Sequence, residues 1–95
     1  MKFTEFKDSV EGTDAPPARL GLALEALWYA AKGDWDKAHK LAQREKSATG
    51  AWVHAYLHRV EGDLSNAAYW YRKAGRPDSS AALEDEWREI ATALL

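Results

Sequence analysis

Two histidines four residues apart have the spacing most suggestive of chemistry in this chain. His54 and His58 would sit one turn apart on one helix face, the arrangement in which two imidazoles grip a zinc ion. Glu61, or Asp63 beyond a turn, could add a third ligand. Ala55 follows His54, so the general base of the His-Glu-x-x-His protease motif is missing. The competing interpretation is structural: His58 aligns with Tyr29 of an internal repeat, which favours a polar-tipped packing residue at a helix seam. His39, beside Ala38 and near Asp36 and Glu45, reads as a solvent-facing or seam residue.

Other reactive groups have simpler roles. Ser9, Ser47, Ser65, Ser79 and Ser80 lie in loops or near helix starts, where serines cap. No nucleophile elbow is present, and the six glycines are isolated, so no phosphate-cradling loop exists. Glu84, Asp85 and Glu86 fall where a helix N-terminus attracts acids. The expectation is a non-enzymatic protein with no cofactor.

The elements that must position these groups are helical. Phe3, Phe6 and Val10 would share a face of a short N-terminal helix. Leu20, Leu24, Leu27, Trp28 and Ala31 recur at helical spacing, with Pro16 and Pro17 suited to that helix's opening turn. Gly33-Asp34 breaks this helix and caps the next, traced by Trp35, Ala38, Leu41 and Ala42. A third helix runs from about Ala51 to Glu61. Gly62-Asp63 repeats the break, and Leu64, Ala67, Ala68, Tyr71 and Ala74 trace a fourth. Asp78, Ser79 or Ser80 would cap a fifth, carrying Leu83, Trp87, Ile90, Ala91 and Leu94. Nothing alternates as a strand does.

Gly33-Asp34-Trp35-Asp36-Lys37-Ala38 and Gly62-Asp63-Leu64-Ser65-Asn66-Ala67 align at an offset of 62 − 33 = 29 residues. This pattern of Gly, Asp and Ala resembles the centre of a tetratricopeptide (TPR) repeat, and Asn66 to Ala74 resembles the second helix of a Sel1-like repeat. The spacing is shorter than the usual 34 or so residues of that repeat. The block from Gly50 to Pro77 is also similar to small bacterial proteins of no assigned activity. The expected architecture is all-α: two TPR-like antiparallel hairpins, at about residues 18–46 and 50–75, in a single domain. A capping helix at about 79–94 and a short N-terminal segment would cover the ends. The resemblance implies that Trp52, Tyr56 and Arg59 line a short concave groove for a peptide or partner helix. Tyr69 and Trp70 would lie on the outer side, where they could pair two copies in a homodimer. The expected function is this interaction module; the alternatives are a metal or small-ligand binder using His54 and His58, and a self-assembling structural protein.

The net charge of −2 and pI near 5.9 argue against nucleic acid as a partner. The Arg72, Lys73, Arg76 cluster sits where a helix C-terminus favours cations. The absence of cysteine excludes disulfides and thiolate metal sites. No run approaches the roughly 20 apolar residues of a membrane helix. Met1 to Asp8 carries acids and no apolar run, unlike a signal peptide, so the expected location is cytoplasmic.

Overall fold

The two Gly-Asp pairs reverse the chain in the same way. The computed structural model, which describes all residues Met1–Leu95, puts Gly33 and Gly62 both at φ +86°, a region that strains residues with a Cβ. Asp34 N–H donates to Tyr29 O, and Asp63 N–H to His58 O, each at 2.9 Å. These bonds close the two helix ends as Schellman motifs do. The Asp34 and Asp63 carboxylates then accept from the amides of Lys37 and Asn66 at 3.2 Å, capping the next helix.

The elements are α1 (Phe3–Gly12), α2 (Leu22–Ala31), α3 (Trp35–Arg44), α4 (Ala48–Glu61), α5 (Leu64–Ala74) and α6 (Leu83–Leu94), with no strand. The chain is all-α. α2 packs chiefly on α3 and α4 chiefly on α5, and α3 joins the two hairpins by lying against α4. Ala26, Ala38, Ala55 and Ala67 are all at most 2% exposed; such small side chains let paired helices approach closely. α4 is the central element, buried continuously from Gly50 to His58 and touching α2, α3, α5 and α6. No helix is long and apolar enough to cross a membrane.

α1 and α6 close the open side of the hairpins. Phe6 stacks on Trp87 at 5.6 Å, and Phe3 meets the same ring edge-on at 5.8 Å. Trp87 Nε1 donates to Leu27 O at 2.9 Å, and Trp28 Nε1 to Ser9 Oγ at 3.0 Å. Each large ring thus buries its apolar body and still satisfies its one donor.

Three helix starts differ from expectation. Pro16 and Pro17 do not open α2, because Arg19 adopts φ +67° and breaks any continuous helix; Gly21 is the N-cap instead. α6 starts from Ala82, and Ser79 Oγ accepts from Ala81 N in the preceding loop. α4 starts at Ala48, a turn earlier than Ala51. Its first turn runs close beside the preceding loop, and a Cβ on Gly50 would collide with the backbone carbonyl of Glu45. Backbone cannot swing aside as a side chain can. Gly50→Ala is therefore expected to cost about 2 kcal/mol of stability by urea denaturation.

Candidate metal centre

The first hairpin's second helix and the second hairpin's first helix bring three histidines together. Trp35 and His39 are one turn apart on α3; His54 and His58 are one turn apart on α4. Where α3 crosses α4, His39 meets His54 edge-on at 4.5 Å and His58 at 5.4 Å. The His54 and His58 rings stack at 4.9 Å. One ligand nitrogen from each of the three lies within 4.8 Å of the others. A tetrahedral ion with bonds of about 2.05 Å needs its nitrogens roughly 3.3 Å apart. Ligation requires the nitrogens to close in and the stacked His54 and His58 rings to rotate until their in-plane lone pairs meet at one ion.

The walls of the cluster are two indoles. Trp35 stacks on His39 at 4.7 Å and 12°, and Trp70 of α5 stacks on His54 at 3.8 Å and 12°. Trp35 is itself pinned, its Nε1 donating to Leu57 O at 2.8 Å. On the far side, His58 Nδ1 lies 2.6 Å from Glu61 Oε1. That contact orients the ring with Nδ1–H donating to the carboxylate, leaving Nε2 as the free lone pair. A carboxylate behind a histidine is the usual support of a metal-ligating imidazole.

The same packing favours the neutral forms of His39 and His54. His54 is 2% exposed, and its pKa is lowered to about 4, first by burial and then by His39 and His58. His39 is lowered too, by burial first and then by His58. A neutral ring offers its lone pair to a ligand without first losing a proton. Proton uptake is easier in the unfolded chain, where histidine titrates near 6.5. His54 therefore contributes its full stability above about pH 6.5, and that contribution drains away as pH falls towards about 4. The loss should be about 2 kcal/mol. Urea midpoints measured at several values across this range would show it, and His54→Gln should flatten the profile.

The expected groove is filled by the chain itself. Trp52 and Tyr56 are buried, at 5% and 7% exposure, because α6 and the loop before it lie over that face of α4. Arg59 Nη1 donates to Glu86 Oε1 at 2.5 Å, and Nη2 to Ala81 O at 2.6 Å. The Arg76 guanidinium stands 3.4 Å over the Trp52 ring. Burial, then the Glu86 carboxylate, pushes the Tyr56 phenol up to about 12. Glu86 stands in the first turn of α6 as expected and has a further role there. Glu84 and Asp85 stay in solvent there, whereas Glu86 is 1% exposed and accepts from Tyr71 Oη at 2.5 Å as well as from Arg59.

Of the outer pair, Tyr69 is 44% exposed, but Trp70 is half-buried against His54. His39 was the member of the triad that local sequence did not single out. The signal that could have found it is the Trp35-x-x-x-His39 pair on the helix preceding the His54-x-x-x-His58 pair. No family model, curated protein or solved structure matches this chain.

Proposed function

We propose that the protein binds a transition-metal ion, of which Zn2+ is the natural candidate, through His39, His54 and His58. The observation that carries this is the convergence of three imidazole nitrogens within 4.8 Å on a largely buried, indole-walled seam. Imidazole sets of this kind suit Zn2+, Cu2+ and Ni2+ over Mg2+ or Ca2+. Three protein ligands leave one position of a tetrahedral ion for water or another small ligand. Glu61 acts as a positioning residue through His58. Isothermal titration with ZnCl2 tests the site: one ion per chain in wild type, none in a His39→Ala/His54→Ala variant. Glu61→Gln should weaken binding roughly 10- to 100-fold. Titration heats unchanged in the double variant would exclude these residues as ligands.

A second function, protein interaction in a TPR-like array, draws support from one end of the molecule. Trp35 seats the first hairpin on the second through Leu57, and its repeat equivalent Leu64 is 67% exposed, beside Val60 at 42%. A further helical hairpin on a partner would cover that end in the way the second hairpin covers Trp35. Sedimentation velocity of wild type against Leu64→Ser would report self-pairing through it.

A further inference from the structure

A cleft of about 240 Å3 opens beside the histidines, between the α3–α4 connection and α5, lined in part by Ser47, Ala48, Ala51, His54, Trp70 and Lys73. Gln43, Glu45 and Lys46 stand at its rim. Its size suits a small molecule, not a macromolecular segment.

Four features of this cleft favour negative charge. α4, a 14-residue helix, begins in it, and its N-cap Ser47 makes no side-chain cap bond. The first amides of α4 therefore carry the helix's positive end without the aspartate that serves α3 and α5. Lys46 and Lys73 are both exposed and bracket the mouth. Trp70, which lines the cleft, donates no hydrogen bond to the protein; the same is true of Trp52, while the indoles of Trp28, Trp35 and Trp87 are engaged. His54, 98% buried, lines the cleft yet bonds to no other residue, whereas His58 has Glu61. A neutral imidazole carries one N–H and one lone pair. One nitrogen can serve the histidine seam and the other an acceptor in the cleft that His54 lines. The one opposing charge is Glu45, half-buried at the rim.

We infer that this cleft binds a small oxyanion, a carboxylate or phosphate group, at the N-terminus of α4 between Lys46 and Lys73, with His54 and Trp70 as further donors. The site goes beyond metal binding and does not require it, since an imidazole has two nitrogens and can serve one ligand with each. When both are filled, the anion stands behind His54 as Glu61 stands behind His58, so each ligand should tighten the other.

The test is a 15N–1H correlation NMR titration of metal-free protein, in EDTA, with inorganic phosphate and, separately, sodium acetate at constant ionic strength. The expected result is a saturable shift of the Ala48, Thr49 and Gly50 amides and the Trp70 indole with at least one of them; the two arms distinguish phosphate from carboxylate. Lys46→Met/Lys73→Met should weaken that binding about 10-fold or more. Both lysines are exposed, so the variant should fold, which the remaining cross-peaks would verify. Shifts that do not saturate, that spread over the surface, or that persist in the variant would overturn the inference. Because EDTA removes metal, a negative result here leaves zinc binding standing, and failed zinc binding leaves this result intact.

Discussion

Zinc at one hundred times its dissociation constant should raise the midpoint of thermal unfolding by about 10–20 °C, and His39→Ala should abolish the rise. A ligand that binds only the folded state at that excess stabilises by about 2.7 kcal/mol. Each kcal/mol moves the midpoint of a domain of this size by roughly 4–8 °C. His39 is the informative residue to remove, because it is half-exposed on α3 and its loss leaves the α4 core intact. His54→Ala should abolish the rise as well, but it also vacates a buried site against Trp70, so its melting point without zinc should fall. A shift of equal size in wild type and His39→Ala would mean that zinc binds elsewhere, for example at His58, Glu61 and Asp63, which also lie close together. Differential scanning calorimetry with and without EDTA separates these outcomes.

Glu86→Ala should be the most damaging single change in the closure of the fold, costing about 3 kcal/mol. Glu86 is buried, and both its oxygens are engaged, by the Arg59 guanidinium and the Tyr71 hydroxyl. The three residues join α4, α5 and α6. Removing the carboxylate leaves a guanidinium and a buried phenol without their acceptor, which is the expensive way to break such a pair. The partial exposure of Arg59 keeps the cost near the lower end of the usual range for buried pairs, about 3–5 kcal/mol. Replacing all three polar partners, Arg59→Met/Tyr71→Phe/Glu86→Leu, should recover most of the loss, because it removes the desolvated charges together. Guanidinium unfolding of the single and triple variants measures both quantities. A triple variant no more stable than Glu86→Ala would mean that the loss is one of packing, not of orphaned charge.

How much of this was legible in the chain depends on whether the cause is local. The hairpins were, because Gly33 and Gly62, Asp34 and Asp63, and Ala38 and Ala67 each act within a turn of themselves. The periodicity of α2 to α6 was legible for the same reason, and so was the His54–His58 pair. His39 was not, since its proximity to them depends on where α3 crosses α4. Local reasoning failed outright at Pro16-Pro17, where the backbone at Arg19 decided the helix start. At Glu86 the helix-dipole argument placed the residue rightly in the first turn of α6, but its burial against Arg59 and Tyr71 comes from tertiary packing and was not legible. The groove of Trp52, Tyr56 and Arg59 was implied by the tetratricopeptide resemblance, which does not say where the capping helix lies. Whether α6 lies beside the hairpins or across α4 is settled by Phe3, Phe6 and Trp87, which interlock at long range.

The most direct measurement of the metal centre is X-ray absorption at the zinc edge on protein loaded with one equivalent of Zn2+. Three imidazole nitrogens at about 2.0 Å in wild type, replaced by a shell of water oxygens in His39→Ala, is the result this structure predicts. A shell dominated by carboxylate and water oxygens, unchanged by that substitution, would contradict it.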